Sequence, residues 1–312
     1  MTDTAHPFDD PLRLTAADIP DALGLSIAAG WNQNAADWRT MLELGQGWGI
    51  RVRPPGPPVL AASIVVLPYD GGFAWVSMVL VLPPYRGAGL AQRLLQRATA
   101  HLAEQGLRPV LDATPAGHAV YARQGFRDTW GFARYQRDAR VEAAAVHAGP
   151  DGGAGPSGAD GLVVRRLRDS DWPQVARLDR AAFGASRQPL LGALARRLPA
   201  AAHVAEDRAG ALAGFVLARD GREASQLGPL IARDAGTAQA LCEAALATLP
   251  GRVFVDLVDH RRDLLPWLQA HGFVFQRPFT RMVQAPAASP ADATVAPGDP
   301  ALLVLVAGPE LG

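Results

Sequence analysis

Three observations predict an α/β (α+β) chain built from two similar halves. An apolar, β-branched run at 76–82 is followed by Pro83-Pro84, a tight Arg86-Gly87-Ala88-Gly89 loop and an amphipathic helical pattern over 90–102. A stretch at 147–161, dense in glycine and carrying Pro150 and Pro156, can sustain neither helix nor strand and divides the chain. The order of strands and helices before that stretch then returns after it. Gly125-Phe126 is echoed by Gly272-Phe273, Val110-Leu111-Asp112 by Phe254-Val255-Asp256, and Phe132-Ala133-Arg134 by Phe279-Thr280-Arg281. With 312 residues the chain has the length of two ordinary domains, and 49% apolar residues can supply two cores.

In the first half, 12–14 is a short strand. Thr15 can cap the next helix, with Asp18 in the capping-box position, and a second helix starts at Asn34. Strands follow at 48–53, 58–67 and 73–82. They are separated by the proline-rich run 54–58 and by Asp70-Gly71-Gly72, a hairpin turn. After the glycine loop and its helix come a strand at 109–113, a helix at 115–124 and a strand at 130–137 that completes the half. Past the divide, 162–167 is a strand. Ser170 or Asp171 caps a helix, another lies near 186–198, and strands fit 202–206, 212–218 and 223–231. A helix over 234–248, a strand over 252–256, a helix ending at His271 and a strand over 279–283 close the second half. The tail from Ala285 to Pro300 is of low complexity. The apolar run 301–306 is expected to pair with a sheet, a bridge between the halves being one option, because a bare strand of that kind promotes aggregation. The expected division is a first domain at 1–142, a flexible linker at 143–160 and a second domain at 161–312.

Composition narrows the function. A formal net charge of zero leaves no basic excess to neutralise nucleic-acid phosphates, so no nucleic-acid partner is expected. All 30 basic residues are arginine, which removes lysine Schiff-base chemistry and lysine autoacetylation. The single cysteine, Cys242, excludes an intrachain disulfide. Its setting, Ala240-Leu241-Cys242-Glu243-Ala244-Ala245-Leu246, suits a small buried hydrophobe better than a nucleophile. The histidines lack metal-ligand spacing, so no metal is expected. The first residues show neither a charged n-region nor an apolar h-region, and no apolar run reaches membrane-spanning length. A soluble, cytoplasmic protein without a membrane partner is the expectation.

Strand, glycine loop and helix start together form an anion site. The first-turn N–H groups have no intrahelical acceptor, the helix dipole adds partial positive charge, and Gly87 and Gly89 permit φ > 0 and close backbone approach. Pro83 and Pro84 carry no N–H and stop the strand's ladder at that point. The spacing is not that of a P-loop, since no Gly-Lys-Ser/Thr follows, nor that of a dinucleotide fold, since the third glycine is missing.

Val81-Leu82-Pro83 followed by Arg86-Gly87-Ala88-Gly89-Leu90-Ala91 resembles motif A of the GNAT superfamily of acyl-CoA-dependent N-acetyltransferases, Arg/Gln-x-x-Gly-x-Gly/Ala after a strand ending Val-x-Pro. Tyr121-Ala122-Arg123-Gln124-Gly125-Phe126 resembles that family's Tyr-x-x-x-Gly-Phe, and a second Arg-x-x-Gly-x-Ala stands at 233–238. The resemblance implies two tandem GNAT-like domains, each a mixed, mostly antiparallel twisted sheet flanked by helices. It implies acetyl-CoA as co-substrate and no metal. Its pyrophosphate would lie on Arg86, Gly87, Ala88, Gly89, Leu90, Ala91 and Gln92, and its pantetheine arm along Val79, Leu80 and Val81. The implied reaction is direct attack of an amine, on a small molecule or a peptide, on the thioester.

Tyr121 is then the acid for the departing sulfur, or else a packing residue. Asp112 is the base, or else a helix cap; His118 and a water chain are the other routes for that proton. Trp31, Asn32 and Gln33 form a loop suited to the acceptor pocket, with Trp31 equally readable as core. Homodimerisation is left open. The second half departs from the pattern. Asp234 replaces Gly87, no Pro-Pro pair precedes the loop, and Leu268 replaces the tyrosine, so it reads as a degenerate copy. A non-catalytic acyl-CoA-binding sensor or interaction module on the same fold is the alternative. The lack of a carboxylate on the strand at 73–82 favours it, while Tyr121 and Asp112 favour the enzyme.

Overall fold

A computed structural model describes residues 8–53, 56–139, 162–284 and 296–312. The linker expected at 143–160 lies outside the described residues. The chain forms two compact units. One takes the chain as far as Thr129 together with the segment from Met282; the other takes Trp130–Arg281 and Ala296–Glu310.

The first unit runs β1 (Leu12–Leu14), α1 (Ile19–Ala28), α2 (Ala35–Leu44), β2 (Gln46–Val52), β3 (Val59–Tyr69), β4 (Phe73–Val81), α3 (Leu90–Glu104), β5 (Arg108–Ala113) and α4 (Pro115–Arg123). The caps read from the sequence are present. Asp18 accepts from the Thr15 N–H at 2.9 Å. Asn34 Oδ1 accepts from the N–H groups of Ala36 and Asp37, at 3.0 and 3.1 Å, and Asp37 accepts from the Asn34 N–H at 2.9 Å. Each such cap contributes about 1 kcal/mol and fixes where its helix begins. Tyr69 pairs with Phe73 across the expected hairpin turn. The sheet order is β1-β2-β3-β4-β5, antiparallel except for the parallel pair β4–β5. Helix α3 lays Leu90, Leu94, Leu95, Ala98 and Leu102 on Ile50, Ile64, Val66 and Val76. That spacing is one helical face, and each buried leucine stabilises by about 1.5–3 kcal/mol.

A further strand, β6 (Phe126–Arg137), is divided between the units: Phe126 lies in the first core, and the portion from Trp130 belongs to the second unit. The second unit continues with β7 (Val163–Arg166), α5 (Trp172–Phe183), α6 (Gln188–Arg197), β8 (His203–Glu206), β9 (Leu212–Arg219), β10 (Ser225–Ala232), α7 (Ala235–Leu246), β11 (Val253–Val258), α8 (Leu265–Ala270), β12 (Val274–Gln284) and β13 (Leu303–Leu305). Its strand order is β12-β6-β11-β13-β10-β9-β8-β7. The pair β10–β11 is parallel, and the pairs β6–β11, β11–β13, β10–β13, β9–β10, β8–β9 and β7–β8 are antiparallel.

The strand expected over 130–137 as the close of the first half thus pairs elsewhere, Phe132–Arg137 running antiparallel to β11. The register is set by chemistry as well as by pattern. Arg134 and Asp256 are direct partners and form a buried two-point ion pair at 2.8 and 2.7 Å. A one-residue slip would leave both charges buried and unpaired, at about 3–5 kcal/mol. Strand β12 begins five residues before the expected 279, and its end, with Met282, lies in the first core. The apolar tail run forms β13 and pairs only with β10 and β11 among the described residues.

Candidate functional site

The site begins with a break in β4. Ser63 faces Leu80 and Val65 faces Ser77, so Met78 and Val79 together stand opposite Ile64, out of register with β3. Such a bulge bends the strand and frees backbone groups from the ladder. Met78 takes φ 51°, the only positive φ among the described non-glycine residues, at a cost of about 1–3 kcal/mol. Ser63 offsets part of it: its buried hydroxyl donates to the Met78 carbonyl at 2.8 Å. On the other side, β4 and β5 pair only from Phe73↔Arg108 to Trp75↔Val110 and then part. Val79 and Val81 are left half-exposed, while Leu80 points into the core.

A short 3-10 turn, Pro83–Tyr85, follows β4. Arg86 turns back and donates from Nε to the Val81 carbonyl at 3.3 Å. Gly87 and Gly89 have φ 80° and 76°, and a Cβ built on either meets nothing within 4 Å. The glycines are therefore required by conformation, and the space beside them is open. Helix α3 starts at Gly89 with no side-chain cap and no acidic residue in its first turn. Its leading N–H groups remain available to an anion.

A cleft of about 680 Å³ opens there, within the size range of small-molecule sites. Of the residues expected to hold the donor, Val81, Arg86, Gly87, Gly89, Leu90, Ala91 and Gln92 line it; Val79, Leu80 and Ala88 do not. Tyr85, Val120 and Arg123 from α4, and Gln124 at that helix's C-terminal cap complete the wall. These four went unanticipated, although Arg123 stands two residues after Tyr121 in a helix the sequence did place. Two guanidinium groups and no carboxylate line the cleft, so its field favours an anion.

Tyr121 is half-buried and packs edge-on against Phe126, ring centroids 6.0 Å apart. It is not among the residues lining the cleft. Burial pushes its phenol up to about 12. Asp112 is half-buried near the end of β5 and does not cap α4; that cap is Thr114, whose hydroxyl accepts from the Gly117 N–H at 3.3 Å. His118 pairs with Asp128 at 2.8 Å on the exposed surface. In the turn between α1 and α2, Asn32 and Gln33 are each only 3% exposed, and Trp31 is half-buried. The Gln33 Oε1 atom is buried with no hydrogen-bond partner, an unusual state for an amide oxygen.

The second unit repeats the strand-to-helix step with a different outcome. Asp234 caps α7, accepting from the Thr237 N–H at 2.8 Å and from its hydroxyl at 2.9 Å. The helix begins at Ala235, so Gly236 is helical instead of left-handed. Leu268 is fully buried. Burial, with Glu243 beside it, pushes the Cys242 thiol up to about 12, so Cys242 is no thiolate nucleophile. Among the described residues no group of three or more metal-ligating side chains comes together, and no helix is long and apolar enough to cross a membrane.

Two family models match the chain. One, described as the acetyltransferase (GNAT) family, covers residues 48–126; the other, an acetyltransferase (GNAT) domain, covers 175–295. Together they span more than half of the chain. A putative acetyltransferase from Pyrococcus horikoshii is similar in structure, with a TM-score of 0.72 at 17% identity over 98% of this chain and 96% of that one. A GCN5-related N-acetyltransferase from Sphaerobacter thermophilus gives 0.63 at 16% identity, over 89% and 95%. A tandem GNAT protein from the clavulanic acid biosynthesis pathway gives 0.61 at 19% identity, over 90% and 99%. At such identities the likeness shows the fold. No curated protein gives a significant match.

Proposed function

We infer the reaction from one premise: this chain belongs to the GNAT acetyltransferase family and carries two of its domains in tandem. Acyl transfer is the general activity that membership brings. The specific reading we propose is an N-acetyltransferase whose first domain takes the acetyl group of acetyl-CoA to a primary amine of a small molecule or peptide. The observation that carries it is the open cradle at Gly87 and Gly89, with an uncapped helix start and two arginines in a cleft free of carboxylate. A diphosphate fits that donor set.

Bound there, acetyl-CoA supplies the activated thioester; the chain's residues supply position and charge. The edge of β4 from Val79 to Val81 offers backbone groups to an extended arm. The Val79 amide, out of the β3 ladder, is the donor we assign to the thioester oxygen. The turn carrying Trp31, Asn32 and Gln33 is the segment we assign to the acceptor, with Trp31 its half-buried member and Asn32 and Gln33 buried behind it. Asp112 takes the proton of the attacking amine. Tyr121 stays protonated throughout the neutral range. A phenol near 12 is a weaker acid than a thiol near 8.5 by about 5 kcal/mol, so full transfer to the departing thiolate is uphill. A hydrogen bond from Tyr121 to that sulfur is the role we assign. The second domain holds no donor in this reading, because the Asp234 carboxylate already occupies its helix start.

A non-catalytic acyl-CoA sensor is the second reading, favoured by the absence of any carboxylate along β4. Calorimetry tests the site. Gly89→Asp should lower acetyl-CoA affinity by at least ~10²-fold, because it places charge and bulk where phosphate meets backbone. Unchanged affinity would remove the donor from this loop. Mass spectrometry of a pooled amine library then separates the readings: acetylated products support the enzyme, and tight donor binding without any product supports the sensor.

A further inference from the structure

The two domains treat one gap in their sheets differently. In the first, β4 and β5 part after a three-position parallel ladder, and the strand edge beyond the bulge is half-exposed. In the second, β10 and β11 also pair over three positions, from Ser225↔Val253 to Leu227↔Val255. β10 then bulges between Leu227 and Leu230, and β13 fills the gap. Leu230 pairs with Leu305 and Ile231 with Leu303 on one side, and Leu257 with Leu305 on the other. The Val306 N–H donates to the Asp256 carbonyl, and the Ala232 N–H to the Leu302 carbonyl, each at 3.1 Å. Residues Leu303, Val304, Leu305 and Val306 are all buried.

Two further contacts hold this strand in place. Glu310 forms a buried ion pair with Arg219. Gly228, in the bulge, has φ 147°, and a Cβ there would overlap the Val306 carbonyl oxygen. The bulge is therefore shaped to receive a backbone.

We propose that residues 302–306 are a built-in occupant of the second domain's donor cleft, standing along β10 and β11 where an acyl-CoA arm lies along β4 in the first. Resting on that reading of the first domain, it assigns the occupant by chemistry. Pantetheine is an extended chain bearing two amides, and a β-strand offers the same alternating donors and acceptors to a strand edge. The second cleft is then closed twice, by Asp234 at the helix start and by β13 along the arm.

Hydrogen exchange and calorimetry on the full chain test this. In the unaltered protein, amides of 303–306 should exchange as slowly as those of 226–228, 230–231 and 254–257. Fast exchange confined to 303–306 would overturn the proposal. Leu305→Asp should speed exchange of β10 and β11 by at least ~10-fold, because it forces a carboxylate between them; unchanged rates there also count against it. Asp234→Gly should still bind one acetyl-CoA per chain, since β13 remains, and a second site in that variant would show the cleft to be open. If the unaltered protein binds none, the Arg86 loop is misread, and the exchange pattern alone decides the place of β13.

Discussion

Gly87 and Asp234 occupy matching positions in the two Arg-x-x-Gly-x-Ala runs, and one side chain separates their outcomes. Glycine takes φ 80° and leaves backbone open; aspartate folds its carboxylate onto the helix start and satisfies the groups an anion would need. Both were legible in the sequence, because backbone freedom and side-chain charge are local properties. Arg123 was not, because only the packing of α4 beside the loop makes it part of the cleft. Tyr121 was legible as a residue but not in its titration, which depends on what surrounds it. Tyr121→Phe should keep donor affinity and lower turnover by about 10-fold or somewhat more, the scale of one lost hydrogen bond to a charged sulfur, about 1.5 kcal/mol or above, read by steady-state kinetics. Stability gives a second readout. The folded pKa, near 12, lies above the unfolded value near 10. The folded state therefore holds this proton more tightly, and stability present below pH 10 is lost as pH rises toward 12. Denaturation curves across that window should lose this part of their slope in Tyr121→Phe.

At the scale of elements, helix starts were the easiest to read and the bulge the hardest. The caps at Thr15 and Asn34 each close within three residues, so their signal lies in one short window. The bulge in β4 depends on register with β3, and the residue with positive φ is a methionine, which gives no sign of it. Ser63 was the available clue, a lone hydroxyl in the apolar run of β3. Ser63→Ala leaves the buried Met78 carbonyl without its donor and should cost about 1–3 kcal/mol in chemical denaturation. It should also weaken acetyl-CoA binding, which a mutation felt only in the core would leave alone.

At the scale of the molecule, acid stability has a traceable source in the second unit. Burial opposes the charge of Asp171, yet the Arg165 guanidinium at 2.7 and 2.9 Å and the Arg168 N–H hold its carboxyl below the usual range. A depressed folded pKa stabilises above the unfolded value and is lost as pH falls through the folded one. Asp171→Asn should therefore destabilise by about 1–2 kcal/mol at neutral pH, with the difference fading in melts as the pH falls below the ordinary carboxylate range. The repeated order of elements was visible in the sequence, since echoes such as Phe132-Ala133-Arg134 and Phe279-Thr280-Arg281 survive. The partner of each closing strand was not, because pairing between segments more than a hundred residues apart leaves no local trace. That division of β6 and β12 bears on inheritance. The second of two similar domains is ordinarily free to be deleted. Here the strand paired with β11 is encoded before residue 140, and Met282 of the first core is encoded after residue 162. Losing either half of the gene would strip the other of part of its sheet or core, so the two copies can only be kept, or lost, together.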